Sequence, residues 1–252
     1  MHFQSHKSAF TLIELLVVIA VIALLMGILI PVLGKAREQG RRTACMGNIR
    51  QFIIGIQIYA SDYGERLPLG LSDFQQDPED EHTPIMSGRM RTALVKIIGD
   101  ERSLSCPWLR EPFDKPGGWY YIYEGQGYGY VLGYNYLGGH KGTPWPLLGS
   151  ANAEWISPQK SFERPTTPLV TELNAWSADE MMTFAPHGAR GAILESGHSG
   201  NISAEGAPSE QIGAVGGHVG LLDGSASWKH IRDMKIYRGS RRWGEGGCFT
   251  TW

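Results

Sequence analysis

The longest apolar run of the chain lies near its start. Phe10–Leu33 contains one charged residue, Glu14. At about 1.5 Å per residue, a helix over this run is about 36 Å long, enough to cross a hydrocarbon core of roughly 30 Å. A buried core helix fits less well because the run is apolar on every side, and a secretory signal has a shorter apolar region of about 7–15 residues. The pattern therefore predicts a retained membrane-spanning helix.

After Leu33 the pattern changes to a single apolar stripe. Its members recur at three- and four-residue steps, and they are Cys45, Ile49, Phe52, Ile53, Ile56 and Tyr59 or Ala60. This spacing predicts an amphipathic helix over residues 35–63 that continues the membrane span and bends near Pro31. Gly64 suits the C-terminal end of that helix. We expect the downstream sheet to cover the stripe.

Residues 64–90 are predicted to form a surface connection. Within them, Leu71–Ser87 contains two prolines and an acidic cluster, formed by Asp77, Glu79, Asp80 and Glu81. Calcium favours clustered carboxylates, but the cluster lacks the spacing of a known calcium loop, so a solvated loop is the prediction and calcium stays an unsupported alternative. A short second helix is predicted over Arg89–Ile98.

The remaining chain predicts strands. Gly117–Gly139 alternates aromatic residues with glycine, which suits strands with tight turns, and the face with Trp119, Tyr121 and Tyr123 is expected to pack on the helix. An aromatic patch that binds a glycan or a protein is the alternative for this segment.

Two later segments complete the strand prediction. Thr167–Asn174 reads as a buried strand bounded by proline. Asp223-Gly224 predicts a two-residue hairpin turn with both residues at positive φ. The predicted helices and strands, with 33 glycines in the chain, indicate an α+β fold. The net charge of −2 gives no electrostatic reason to expect nucleic-acid binding. The long N-terminal helix would pack on an antiparallel β-sheet domain.

The cysteines allow one disulfide. There are three, Cys45, Cys106 and Cys248. In an exported domain an odd number predicts one bridge and one thiol, and Cys45–Cys106 is the candidate pair because one lies on the helix stripe and the other beside a predicted strand end. Three buried thiols that pack as small hydrophobic groups are the alternative.

The histidine-bearing region predicts no metal site and no catalytic residue. His187, His198 and His218 lie in it, with Glu195 and Asp223 nearby. None of the histidines forms a pair at a short ligand spacing, and no nucleophile elbow accompanies them. A hydrolase that uses His218 is kept as a rival. We expect a protein that is not an enzyme and has no cofactor.

Glu14 is the residue that most needs an explanation. A carboxylate in hydrocarbon costs roughly 2.5–3.5 kcal/mol on insertion scales unless it finds a partner. If the chain began at Phe10, the new α-amino group would lie one helical turn from Glu14. The alternative is that Glu14 lies at headgroup depth near the end of a tilted helix.

The residues Lys7–Glu14 resemble the class III signal of type IV prepilins and type II secretion pseudopilins. The resemblance implies that prepilin peptidase cleaves between Ala9 and Phe10 and that Phe10 is N-methylated. It also implies that Glu14 pairs with the Phe10 amine of a neighbouring subunit during assembly. The family usually has glycine before the cut, whereas this chain has Ala9, which is also small.

A second resemblance covers the segments Lys35–Glu38, Arg41–Gln51 and Tyr59–Gly64, and the Cys-Pro pair at Cys106. They are similar to large pseudopilin-like proteins with a C-terminal His-x9-Asp-Gly segment. Here Asp223-Gly224 matches the second half, but the tenth residue before Asp223 is a glycine. The resemblance implies a pilin-like α+β fold.

The implied organisation has four parts. They are a leader over residues 1–9, a transmembrane and assembly helix over 10–34, an amphipathic helix over 35–63 and a globular ectodomain over 64–252. The implied function is that of a structural subunit in a type II secretion or type IV pilus-like filament. Its partners would be prepilin peptidase, other pseudopilin subunits and the inner membrane.

Orientation is contested between the charge pattern and the resemblance. Only Lys7 precedes the span, whereas four basic residues follow it closely, Lys35, Arg37, Arg41 and Arg42. The positive-inside rule would place the C-terminal side in the cytoplasm. Cleavage requires a cytoplasmic leader, so we expect a single-pass inner-membrane protein with a periplasmic C-terminal domain. A membrane-anchored glycan- or protein-binding module that does not polymerise is the alternative function.

Overall fold

The computed structural model describes residues 12–74, 81–123, 126–147, 149, 151–177, 182–189, 191–196, 212–241 and 247–252. The expected cleavage site at Ala9 and Phe10 lies outside the described residues. So do His198 and three of the four clustered acids, Asp77, Glu79 and Asp80. The chain forms two compact units, Met1–Arg42 and Thr43–Trp252, which are taken separately below.

The first unit is helical throughout its described part. Helix α1 begins at Leu12 and ends at Asp62, and Pro31 lies inside it. The large apolar side chains of residues 12–33 are 44–79% exposed, and within the described chain α1 alone is long and apolar enough to cross a membrane. A single N-terminal helix of this kind fits membrane anchoring. The bend expected near Pro31 stays a prediction.

The second unit contains the rest of α1, and here one face of the helix is buried. The buried residues are Cys45, Ile49, Phe52, Ile53, Gly55, Ile56, Tyr59 and Ala60. The predicted stripe is therefore confirmed. The helix ends with Gly64 at φ +65, and the N–H of Glu65 donates to the carbonyl of Ala60 at 2.7 Å. Glycine suits this position because it adopts positive φ without a steric cost.

Twelve strands form three antiparallel sheets in the described part of the second unit. The strands are β1 (Ile85–Met86), β2 (Trp119–Tyr123), β3 (Gln126–Val131), β4 (Tyr134–Tyr136), β5 (Pro168–Glu172), β6 (Ala175–Ser177), β7 (Met182–Gly188), β8 (Gly191–Ser196), β9 (Gly216–Leu221), β10 (Ala226–His230), β11 (Ile236–Arg238) and β12 (Cys248–Thr251). The sheet orders are β1-β3-β2, β10-β9-β5-β4 and β11-β12-β6-β7-β8.

Helix α1 packs on the four-stranded sheet. At Gly220 on β9, an added Cβ would lie 2.6 Å from both the Ile49 and the Ile53 side chains. The Gln57 amide also donates to the carbonyl of Leu222 at 2.8 Å. The helix and the sheet therefore approach more closely than a side chain at position 220 would allow. This packing confirms the predicted α+β fold.

The predicted second helix is confirmed as α2, Gly88–Ile98. The Ser87 hydroxyl accepts from the backbone N–H of Met90, and Gly99 closes the helix at φ 81. These are the usual caps of a short helix. The helix packs close to α1, because a Cβ at Gly55 would lie 2.5 Å from the Ile98 side chain.

The connection over residues 64–90 is less exposed than predicted. Residues 81–86 are all buried, and β1 pairs with β3. The Glu81 carboxylate accepts from the backbone N–H groups of Lys141 at 2.8 Å and Gly142 at 3.1 Å. These hydrogen bonds compensate for its burial, so the prediction of a solvated loop is wrong for Glu81.

The aromatic segment forms the predicted strands, with a bulge between Tyr121 and Ile122. Its aromatic side chains also make contacts that were not predicted. The Trp119 ring packs on Phe113 and Phe184, with centroids 5.0 and 6.0 Å away. These strands belong to the sheet with β1, whereas the sheet under α1 contains β4.

The aromatic residues that meet α1 lie on β4. The Tyr136 ring lies 6.1 Å from that of Phe52, and the Tyr134 hydroxyl donates to the carbonyl of Cys45 at 3.5 Å. The aromatic segment thus contacts the helix through β4, which was not predicted, and Trp119 and Tyr121 pack partly buried against the core cluster that contains the stripe of α1. The side chain of Tyr123 lies outside the described part.

The hairpin between β9 and β10 has a three-residue turn rather than the predicted two-residue turn. Ala226 pairs with Gly220, and the N–H of Gly224 donates to the carbonyl of Leu221. Gly224 alone of the turn residues has positive φ, at 87. A turn closed by a left-handed glycine fits this register and leaves Asp223 at ordinary φ. Leu222 is thereby buried in the core.

The C-terminal segment contributes β11 and β12 to the five-stranded sheet. β12 lies between β11 and β6. The indole of Trp252 stacks on Tyr237, with centroids 3.9 Å apart. The end of the described chain is thus part of the core.

Candidate functional site

The N-terminal site is the apolar part of α1. Glu14 lies in the first turn of the helix, and its side chain is exposed among exposed apolar neighbours. Backbone N–H groups at a helix start favour a negative charge in the first turn. The expected roles of Ala9 and Phe10 in cleavage, and of Glu14 in assembly, stay predictions.

A disulfide joins Cys45 to Cys106, with Cα atoms 5.2 Å apart. Cys45 lies on the buried face of α1, and Cys106 follows the 3₁₀ turn Glu101–Leu104. Next to the bridge, the Asn48 amide donates to the carbonyl of Ser105 at 3.0 Å. Cys248 is a buried thiol outside the bridge.

A buried carboxylate lies between two imidazoles behind the disulfide. Glu172 Oε1 lies 3.1 Å from His187 Nε2 and 2.8 Å from His218 Nδ1. The three residues come from β5, β7 and β9, and their side chains are 0–4% exposed. Because a carboxylate only accepts, both ring nitrogens act as donors in this arrangement.

The hydrogen bonds decide the charge of this group. Burial raises the pKa of the Glu172 carboxyl, but the hydrogen bonds from His187 and His218 and the charge interactions with both rings together more than offset this effect, so the pKa lies below its usual range. The carboxylate is therefore ionised inside the core. Its second oxygen, Oε2, is buried without a hydrogen-bond partner among the described residues.

The cluster packs against the ring of Trp228 and contacts a sulfur of the disulfide. The Trp228 ring on β10 lies 5.2 Å from the His187 ring and 5.1 Å from the His218 ring. On the other side, Cys106 Sγ lies 3.8 Å from His187 Nε2. Ligand atoms of Cys45, Cys106, Glu172 and His187 all lie within 4.8 Å of one another.

The structure brings together only part of the histidine region considered from sequence. His187 and His218 meet at the cluster, whereas Asp223 lies in the exposed hairpin turn and accepts from the N–H of Ser225. The Glu195 side chain lies outside the described part. Glu172 was missed, although an acid inside the buried strand Pro168–Glu172 was an available signal.

Two protein-family models match the chain. The first is described as Prokaryotic N-terminal methylation motif and covers residues 4–30. The second is described as Protein of unknown function (DUF1559) and covers residues 34–119. The second match contains the amphipathic half of α1, helix α2 and Cys106.

One curated relative shares part of the sequence. It is "Competence protein ComGC" of Halalkalibacterium halodurans, 26% identical over 93 residues, which are 37% of this chain and 90% of that protein. No solved structure matches the chain. The comparisons confirm the resemblance made from Lys7–Glu14: the chain carries a prepilin-type methylation motif followed by a DUF1559 region.

Proposed function

We propose that this protein is a structural, pseudopilin-like subunit. Prepilin peptidase would cleave it between Ala9 and Phe10, and its N-terminal helix would assemble it into a type II secretion or type IV pilus-like filament. The observation that carries the proposal is the methylation motif over residues 4–30, joined to a helix whose large apolar side chains are 44–79% exposed.

The exposed apolar helix needs a non-aqueous environment at every stage. Burying one Leu, Ile or Val side chain is worth about 1.5–3 kcal/mol. Lipid supplies that burial before assembly, and the helices of neighbouring subunits supply it in a filament. The same surface thus serves first as anchor and then as interface.

Glu14 would set the register of that interface. A carboxylate among apolar helices is costly unless a cation lies beside it. The free amine of a cleaved Phe10 on the next subunit is such a cation. Subunits that align this pair are favoured over subunits shifted along the helix.

The organisation proposed for the chain follows from this function. Residues 1–9 are the leader, 10–34 the transmembrane and assembly helix, 35–63 the amphipathic helix and 64–252 the ectodomain. The protein would be a single-pass inner-membrane protein with its ectodomain in the periplasm, where a disulfide such as Cys45–Cys106 is stable. Its partners are the peptidase and other subunits, and it acts without catalysis.

An anchored binding module that does not polymerise is the second candidate, favoured by the exposed Tyr120 and Ile122 on β2. Single cysteines placed at Leu16 or Leu24 would distinguish the two functions in native membranes. Oxidative crosslinking that gives disulfide-linked homodimers through the N-terminal helix supports the subunit. An exclusively monomeric product supports the module. A cysteine at exposed Ser61, on the same helix outside the apolar run, is the matched control.

A further inference from the structure

The disulfide and the buried carboxylate cluster share one set of metal-ligating atoms. Two sulfurs, one imidazole nitrogen and one carboxylate oxygen lie within 4.8 Å of one another, and the four residues are buried. They are Cys45 on α1, Cys106 after the 3₁₀ turn, Glu172 on β5 and His187 on β7. The fold thus gathers a four-ligand set from distant segments.

The separations fit a tetrahedral zinc ion. With Zn–S near 2.3 Å and Zn–N and Zn–O near 2.0–2.2 Å, neighbouring ligand atoms lie roughly 3.3–3.8 Å apart. Cys106 Sγ and His187 Nε2 are 3.8 Å apart, and His187 Nε2 and Glu172 Oε1 are 3.1 Å apart. Once the sulfur–sulfur bond is open, modest side-chain movements would bring all four ligand atoms to these separations.

Two independent features of Glu172 point the same way. Its Oε2 is buried without a hydrogen-bond partner among the described residues, which is a costly state for a carboxylate. Its Oε1 accepts a hydrogen bond from His218 Nδ1 at 2.8 Å. Carboxylates that bind a metal are commonly oriented by such a hydrogen bond from a residue outside the ligand set. The site therefore has an oriented acid with one oxygen that lacks a hydrogen-bond partner among the described residues.

We propose that Cys45, Cys106, His187 and Glu172 form a zinc site in the reduced protein, and that this site and the disulfide exclude each other. A dithiol reductant supplies two electrons and two protons, the Cys45–Cys106 bond breaks to two thiols, and the reductant becomes a disulfide. Zinc then replaces both thiol protons, which leave to water. The His187 ring changes tautomer by giving its Nε2 proton to water and taking one at Nδ1, and its Nε2 lone pair then binds the zinc in place of the hydrogen bond to Glu172. The proposal does not depend on the assembly function.

The ligand set specifies the kind of metal. Two thiolates and an imidazole favour zinc over calcium or magnesium, which prefer oxygen ligands. The two states tie α1 to the domain through different numbers of segments. The disulfide joins α1 to the segment before β2, whereas zinc would also join it to β5 and β7. Reductant and metal together would select between these crosslinks.

Cobalt titration of the full chain in detergent tests the proposal. The protein is reduced with dithiothreitol, desalted without oxygen and titrated with Co²⁺, and the oxidised protein is titrated in parallel. We expect one equivalent of tetrahedral cobalt with thiolate charge-transfer bands in the reduced protein only, displaced by Zn²⁺. Equal spectra in both forms, or a folded reduced protein without thiolate bands, would overturn the site.

Variants assign the ligands. The Cys248→Ser variant should keep the cobalt spectrum, and Cys45→Ser should lose the two-thiolate bands. His187→Ala should weaken zinc binding at least tenfold, whereas His140→Asn, a change at a buried histidine elsewhere, should not. Should His187→Ala fail to fold, the Cys45→Ser and Cys248→Ser pair still decides: identical spectra in these two variants would contradict the assignment.

Discussion

Gly220 on β9 lies beneath Ile49 of α1, so close that a Cβ at position 220 would stand 2.6 Å from Ile49 Cγ2. The same Cβ would stand 2.6 Å from Ile53 and 3.2 Å from the Val170 carbonyl. This contact sets the distance between the helix and the four-stranded sheet. The close approach of α1 therefore depends on the absence of one side chain.

The first prediction follows from this contact. Gly220→Ala should lower the free energy of unfolding by about 1–3 kcal/mol, because the helix must shift or the isoleucines must leave their rotamers. Thermal unfolding of the full chain in detergent measures the change. Gly47→Ala is the control, since no atom lies within 4 Å of a Cβ there, and it should be neutral or stabilising by up to about 1 kcal/mol. Equal Tm values for the two variants would contradict the packing.

The disulfide carries the second prediction. Its two cysteines are 61 residues apart, and closing a loop of that length in the unfolded chain corresponds to about 4 kcal/mol of stability. The double variant Cys45→Ala with Cys106→Ala should lose an amount of that order, measured by denaturant unfolding of the oxidised protein. Cys248→Ala removes a buried thiol without a bridge and should lose clearly less. A similar loss in both would show that the bridge does not form.

Acid sensitivity at His140 is the third prediction. This histidine is buried, its Nε2 lies 3.0 Å from the Tyr136 carbonyl, and desolvation lowers its pKa from 6.5 to about 4. The unfolded chain therefore binds a proton near pH 6.5 while the folded chain does not. The contribution to stability is fully present above pH 6.5 and is lost as the pH falls towards 4, and the total loss amounts to roughly 3 kcal/mol.

Unfolding free energies between pH 7 and pH 4 measure this effect. His140→Asn should flatten the slope in that range, even where it lowers stability at pH 7. Exposed His230→Asn is the matched control and should leave the slope as it is in the parent chain. If the slope in His140→Asn equals that of the parent, another group causes the acid sensitivity.

The sequence pattern predicted the local part of this fold. The stripe from Cys45 to Ala60 and helix α2 depend on a period of three to four residues and on caps, which neighbouring residues determine. The hairpin at Asp223-Gly224 was also local, but its length depends on the pairing of Gly220 with Ala226, which a dipeptide does not specify. Patterns of short range thus identified elements better than their connections.

The contacts between residues far apart in the sequence could not be predicted from such local patterns. The residues Glu172, His187 and His218 of the cluster lie on three different strands. No short ligand spacing in the sequence indicates that they meet. β12 reaches β6 only through sheet pairing across more than 70 positions. The sequence led us to expect Trp119 against the helix, and the contact of Tyr136 with Phe52 was not predicted. The topology of the sheets, rather than the amino-acid composition of the segments, determines which of these residues come into contact.

Glu14 carries the fourth prediction. Glu14→Leu should leave membrane insertion intact, because it removes a charge from an apolar run, and should abolish assembly, because the Phe10 amine loses its partner. Crosslinking through cysteines in the helix and membrane fractionation measure the two properties. Glu38→Leu, on the same helix outside the apolar run, is the control and should still assemble. Filaments that form equally with Glu14→Leu would remove the pairing mechanism.

The mature N-terminus tests the central claim most directly. Intact-mass and peptide mass spectrometry of the chain purified from its native membrane should find a chain that begins at Phe10 and carries one added methyl group on the α-amine. A chain that keeps residues 1–9, with its original Met1 end and an unmodified Phe10, would contradict the account.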